Sequence, residues 1–152
     1  MTLENLLAIH KLQRFEASAV GVQRLLAAAE RNLADAGIAP LSSENRFDAA
    51  YKVIMQCAMI GLWANGYRTS TSQPGHHQTA LQVLPKTLGL ERDEVILLDA
   101  LRKQRNLNDY EGDPVSDSAV AECCRQAALL LAHTRDWLRR NRPDLLASEA
   151  QP

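Results

Sequence analysis

The sequence is poor in the features that mark several large protein classes. Of its 152 residues, 5% are aromatic, three are cysteine and seven are glycine. No apolar run reaches the roughly 20 residues that cross a bilayer, so we expect no transmembrane helix and no membrane partner. The opening stretch, MTLENLLAIH, has no basic segment before a long apolar core. We therefore expect no signal peptide and a cytoplasmic location.

The cysteines are too few and badly spaced for a disulfide framework or a zinc site. Cys57, Cys123 and Cys124 are an odd number, and no Cys-x2-Cys pair occurs. Adjacent cysteines on a helix point about 100° apart, so they seldom bind one ion. Phosphate-cradling glycine loops and nucleophile elbows are also missing. We predict buried, reduced thiols, no metal and no cofactor.

Neither sign of charge is in excess. The 17 basic and 18 acidic residues give a net charge of −1. A dedicated duplex-DNA binder usually has a basic balance, so any contact with nucleic acid must come from a local patch. The densest basic cluster is Arg135, Arg139, Arg140 and Arg142. We interpret it as a solvated helix end favoured by the helix dipole, with a phosphate-contacting patch as the alternative.

Helical periodicity dominates the sequence, and no alternating run of β-branched residues predicts a strand. Four long helices and two shorter ones are predicted, at 17–36, 44–64, 92–106, 116–140, 3–12 and 77–88. The helix at 44–64 is apolar nearly all round, which is typical of a central helix or one shared with a partner chain. The turn-rich breaks are too few to divide the chain into two domains.

The predicted fold class is therefore all-α, an antiparallel up-and-down four-helix bundle with one or two short extra helices. We expect a single domain over residues 1–146, followed by a flexible tail over 147–152.

Two arginines continue an apolar stripe in the helix at 92–106. Leu98, Leu101 and Arg105 share one face, and Arg102 borders it. A buried guanidinium is costly unless it is paired, so this placement requires an explanation. One explanation is that the stripe reaches the surface there and the arginines cover the helix end. The other is a functional site.

The stretch LRKQRNLNDYEG, residues 101–112, resembles the signature region of HEPN domains. These helical bundles commonly carry Arg-Asn, three variable residues and His. Arg105 and Asn106 match the first two positions, and Tyr110 replaces the histidine. The stretch RFDAAYKVIMQCAMIGLWANGYR, residues 46–68, is similar to the second long helix of many bacterial HEPN proteins, and the following Gly-His-His at 75–77 matches as well.

The resemblance implies a homodimer in which Arg105 and Tyr110 line a cleft between subunits. In active HEPN members the Arg and His form a metal-independent ribonuclease site. Here Arg105 would stabilise phosphorane charge, whereas a tyrosine, with an ordinary pKa near 10, is a poor base. A missing histidine lowers the rate on the order of 10²–10⁴-fold if general acid–base catalysis depends on it.

Two sets of site residues follow from the resemblance. The predicted catalytic residues are Arg105, Asn106 and Tyr110, and the predicted binding residues are Arg102, Asp109, Arg68, His76 and His77. Replacement of the missing histidine by His76 or His77 remains an alternative.

We predict a HEPN-like, RNA-associated protein, a toxin–antitoxin or defence component with weak or absent endoribonuclease activity. Its expected partners are a second copy, RNA, and an antitoxin or nucleotidyltransferase from a neighbouring gene. The alternative is a catalytically inactive dimeric interaction or regulatory module. A helical scaffold with no link to nucleic acid is the third hypothesis.

Overall fold

The computed structural model describes residues 2–147 and is mostly helical. Its helices are α1 (Leu3–Ala8), α2 (Ala19–Ala36), α3 (Ser43–Ala64), α4 (His76–Gln82), α5 (Leu84–Thr87), α6 (Arg92–Tyr110) and α7 (Asp117–Asn141). A 3₁₀ turn, Pro143–Leu146, follows α7. Two short strands, β1 (Leu12–Arg14) and β2 (Tyr67–Thr69), pair antiparallel. The all-α class is confirmed, apart from this minimal sheet.

Serine caps define where three of the long helices begin. The hydroxyls of Ser18, Ser42 and Ser116 each accept a hydrogen bond from the backbone N–H three residues on, at 3.0 to 3.1 Å. Such bonds satisfy one of the donors that an α-helix leaves free at its start. The N-cap of α3 is Ser42 and not the neighbouring Ser43.

Helix α3 lies at the centre of the fold. It packs along its length against α2 and α7, and it also contacts α4, α5, α6 and β2. Its buried side chains include Phe47, Ile54, Ile60 and Leu62. This position explains why the helix is apolar nearly all round, since every face meets another element of the same chain.

The strand pairing corrects the prediction that strands are absent. Leu12, Gln13 and Arg14 face Thr69, Arg68 and Tyr67. Three residues per strand are too few to give a readable alternation, so the sequence pattern did not reveal them. The pairing ties the N-terminal segment to the end of α3, and Leu12 is buried beneath it.

One predicted helix is divided in two, and one predicted helix boundary was wrong. The helix predicted over 77–88 is divided at Val83 into α4 and α5, because Pro85 has no N–H for an intrahelical bond to Leu81 and its ring crowds that carbonyl. Helix α6 continues to Tyr110 instead of ending near Asn106, and Gly112, at φ 69°, follows its end.

Two expectations concern the chain as a whole. No helix within residues 2–147 is long and apolar enough to cross a membrane. Of the flexible tail predicted over 147–152, residues 148–152 lie outside the described residues.

Candidate functional site

Helix α6 directs Arg105 toward α3. Its guanidinium carbon lies 5.3 Å from the centre of the Tyr51 ring, a cation–π arrangement. Its Nε atom is 2.9 Å from a carboxylate oxygen of Asp109 and 3.6 Å from one of Asp48. The side chain is only 26% exposed. The two carboxylates and the aromatic face offset the cost of removing this cation from water.

The Nε–H of Arg105 has no hydrogen bond among residues 2–147, although the atom is buried. The nearby Asp109 oxygen is close enough for an ion pair, but the N–H does not point at it. A buried donor without an acceptor is costly and uncommon in native structures. The guanidinium is therefore not fully hydrogen-bonded within residues 2–147, and a ligand oxygen would have to displace neighbouring atoms to reach this donor.

Arg102 lies one turn before Arg105 and is also partly buried. Its Nε donates to Asp99 at 2.7 Å, and the Asp99 carboxylate is 3.6 Å from the ammonium of Lys103. Leu98 and Leu101 are buried on the same side of α6 and hold it in place. Arg102 is thus held by its own helix, whereas Arg105 reaches across to α3.

The start of α4 brings two histidines to the same place. Gly75, at φ 77°, precedes the helix in a conformation that favours glycine. The Nδ1 atom of His77 lies 3.3 Å from the Tyr51 hydroxyl. The rings of His76 and His77 are 4.7 Å apart and nearly perpendicular. Tyr51 therefore contacts Arg105 through its ring and His77 through its hydroxyl.

Burial dominates the electrostatics of this cluster. It lowers the pKa of His77, and the nearby His76, Arg105 and Arg102 lower it further. Burial also raises the pKa of Tyr51 to about 12, against the opposing effect of the two arginines. At neutral pH His77 is therefore mostly uncharged, and Tyr51 keeps its hydroxyl proton.

The carboxylates balance the fixed cations around the site. Asp99 forms ion pairs with Arg102 and Lys103, and Arg105 forms ion pairs with Asp48 and Asp109. An added phosphate would have to compete with Asp48 and Asp109 for Arg105. Protonation of a histidine would tip the local charge toward positive and favour such an anion.

Tyr51 and Asp48 were missed as site residues by the sequence analysis. Tyr51 belongs to a helix that is apolar nearly all round, and it is 2% exposed. The only signal was its hydroxyl, because a buried tyrosine usually directs this group to a polar partner. Asp48 lies three residues earlier, on the same face of α3.

The structure does not bring Tyr110 to Arg105. Tyr110 is the last residue of α6 and is 80% exposed. It lies five positions after Arg105 on the helix, which places the two side chains about 140° apart around the axis. Asn106 is half-buried and shares a face with Tyr110. Asp109, four residues after Arg105, is the predicted residue that meets it.

Arg68 also contacts a different part of the molecule. Its Nε donates to Gln13 at 3.1 Å, and its guanidinium lies 5.2 Å from the centre of the Phe15 ring. These contacts fasten β2 to the N-terminal segment. Arg68 therefore serves the strand pairing in this structure.

Most of the basic C-terminal cluster is paired. Arg135 pairs with Glu30, and Arg142 lies 2.9 Å from Asp144. Arg140 lies 2.8 Å from Asp136. These ion pairs favour the interpretation as a solvated helix end over a phosphate-contacting patch.

Comparison with known proteins assigns no family. No protein-family model matches the chain, and no curated protein matches its sequence. Within residues 2–147, no group of three or more His, Cys, Asp or Glu side chains is placed to hold a metal ion. The functional interpretation therefore depends on the cluster formed by Tyr51, His76, His77, Arg102 and Arg105.

Proposed function

We propose that this chain is a HEPN-like, RNA-associated protein of the toxin–antitoxin or defence type, with the four-helix bundle topology of that family. One observation carries the proposal: Arg105 is partly buried against Tyr51 and keeps a donor without an acceptor. An arginine held in this way is suited to a phosphate oxygen, because a preorganised guanidinium loses little freedom on binding.

The proposed ribonuclease activity is metal-independent and weak or absent. Tyr110, at the position of the family histidine, is exposed and directed away from Arg105. A tyrosine there neither accepts a proton readily at neutral pH nor lies beside the cation that would stabilise the phosphorane. RNA binding is thus the primary expectation, and cleavage is secondary.

Binding to a structured RNA such as tRNA tests this function. Fluorescence anisotropy at several salt concentrations should show binding that weakens as salt rises, because phosphate contacts release counterions. Arg105→Ala should weaken binding by about tenfold, the loss expected for one charge-assisted contact. Arg125→Ala is the matched control, because Arg125 is exposed on α7 and pairs with Glu122. Equal affinity of the Arg105 variant and the wild type would contradict the proposal.

The second candidate is a catalytically inactive dimeric module that binds or regulates a partner. Exposed apolar side chains on α6 and α7 favour it: Ile96 is 61% exposed, Leu97 46% and Leu129 55%. Large apolar side chains left exposed are typical of protein interfaces. The proposed partners are a second copy and an antitoxin or nucleotidyltransferase from a neighbouring gene. Specific dimerisation without any affinity for RNA would select this candidate over the first.

A further inference from the structure

We propose that His77, oriented by Tyr51, is the general base of the Arg105 site, with His76 as the acid. This inference rests on the proposed association with RNA. In this proposal His76 and His77 on α4 take the catalytic role that the family histidine, here Tyr110, would have. The required base and acid therefore come from α4 and the cation from α6.

The geometry brings the three chemical functions together. His77 contacts the hydroxyl of Tyr51 at 3.3 Å, and Arg105 lies 5.3 Å from the centre of the same ring. The His76 ring is 4.7 Å from that of His77. A single buried tyrosine thus links an imidazole pair to a guanidinium that has a free donor.

The contact with Tyr51 provides a way to orient the imidazole. If the Nδ1–H of His77 donates to the Tyr51 oxygen, the lone pair of Nε2 is left free to accept a proton. Hydrogen bonding at one ring nitrogen commonly selects the tautomer in this way. Tyr51 acts here as a positioning residue, and His77 is the residue that contacts RNA.

The charged and titratable groups around His77 come from three helices. Tyr51 on α3 contacts His77, and His76 on α4 and Arg102 and Arg105 on α6 act on its charge. Asp99 pairs with Arg102, and Asp48 and Asp109 pair with Arg105. The arginines favour the uncharged form of His77, which is the form that a base requires. Asp48 and Asp109 act mainly on Arg105, with which they pair.

The proposed step is an internal transesterification of RNA that needs no other reactant. The 2′-oxygen forms a bond to phosphorus as its proton passes to Nε2 of His77. The bond from phosphorus to the 5′-oxygen breaks, and that oxygen takes a proton from the imidazolium of His76. The products are a 2′,3′-cyclic phosphate and a free 5′-hydroxyl, and Arg105 stabilises the phosphorane charge between them.

The experiment separates cleavage from binding. Cleavage of a structured RNA is measured from about pH 5 to 8, where histidine titrates. Binding is measured with the same RNA carrying 2′-deoxyribose, which cannot react by this route.

His77→Gln should lower the cleavage rate on the order of 10²–10⁴-fold while binding to the inert RNA persists. His76→Gln should also lower the cleavage rate, because the leaving 5′-oxygen then lacks its acid. Tyr51→Phe should change how the cleavage rate depends on pH.

Two controls keep the result interpretable. His10→Asn removes an exposed histidine, and asparagine tolerates its positive φ of 64°. Thermal unfolding of each variant shows whether it still folds. In the folded wild type, the ¹⁵N spectrum should show a proton on Nδ1 of His77, and Tyr51→Phe should shift the tautomer.

The outcomes separate the catalytic role of His77 from the association with RNA. Loss of cleavage in His77→Gln with retained binding supports the inference. Unchanged cleavage in that variant, or loss only in Tyr110→Phe, overturns it. Binding without any cleavage by the wild type also overturns it and leaves the association with RNA standing. Absence of binding to the inert RNA overturns both.

Discussion

Gly61 is where α3 passes closest to the end of α5. A Cβ atom built on this glycine would lie 2.9 Å from Cγ of Leu88 and 3.0 Å from the hydroxyl of Thr87. Both neighbours are buried and have little room to move. The absence of a side chain thus allows α5 to pack against the central helix.

Gly61→Ala should destabilise the protein for this reason. We expect a loss of about 1–3 kcal/mol, the usual cost of overpacking a core, measured as a lower midpoint in urea unfolding. Gly37→Ala is the control, because Gly37 has an ordinary φ of −87° at the end of α2 and meets its nearest atom at 3.4 Å. Equal midpoints for Gly61→Ala and the wild type would show that α3 and α5 accommodate the added methyl group without loss of stability.

His77 should make stability depend on pH. Its pKa is lowered in the folded state from the ordinary 6.5, mainly by burial, so the unfolded state binds the proton more tightly. The stabilisation is therefore present above pH 6.5 and is lost as the pH falls from there toward the folded pKa. His77→Gln should flatten this part of the curve of unfolding free energy against pH, measured with urea.

The contribution of His77 can be distinguished from those of the carboxyls whose pKa values are also shifted. Hydrogen bonds lower the pKa of the Glu4 and Glu122 carboxyls below 4.5 and that of Asp144 below 3.8. These groups therefore titrate at a lower pH than the range just below 6.5 in which His77 acts. His10→Asn, at an exposed site, should keep the slope of the wild type. The same slope in His77→Gln would rule out His77 as its source.

At the scale of the element, the N-cap of α3 matters because this helix contacts most of the others. The hydroxyl of Ser42 accepts the N–H of Asn45 at 3.1 Å. Ser42→Ala should lower the free energy of unfolding by about 1 kcal/mol, measured by urea unfolding. Ser43→Ala should cost less, since the Ser43 hydroxyl has only a 3.4 Å bond to Asp117. A larger loss in Ser43→Ala would reverse the assignment of the cap.

The elements differ in how well the sequence predicted them. Helices α2, α3 and α7 were predicted closely, because their apolar period is a local signal. The pairing of Leu12 with Thr69 joins residues 57 positions apart, and no local pattern encodes it. The continuation of α6 to Tyr110 was missed because its last turn is polar and has no apolar stripe to follow.

For the whole molecule, the exposed apolar side chains of α6 and α7 predict self-association. Ile96, Leu97 and Leu129 are each about half exposed or more, and a two-fold interface would bury the same residues on both copies. We expect a dimer at micromolar concentration by light scattering. Leu97→Glu should give a monomer, because it places a charge at the interface on both copies.

A matched change elsewhere distinguishes the interface from general solubility. Val20 is 39% exposed on α2, so Val20→Glu adds the same charge to another helix. This variant should remain dimeric. A monomeric wild type would count against both the dimeric HEPN-like protein and the inactive dimeric module.

The sequence by itself determined the helical class and the approximate extent of α2, α3 and α7, because periodicity acts over a few neighbouring residues. It also singled out Arg105, an arginine in an apolar stripe. Only the tertiary structure decided what surrounds Arg105, since Tyr51, His77 and Arg105 meet through the packing of α3, α4 and α6. The continuation of α6 to Tyr110 separated that residue from Arg105, because five positions along one helix direct the two side chains apart.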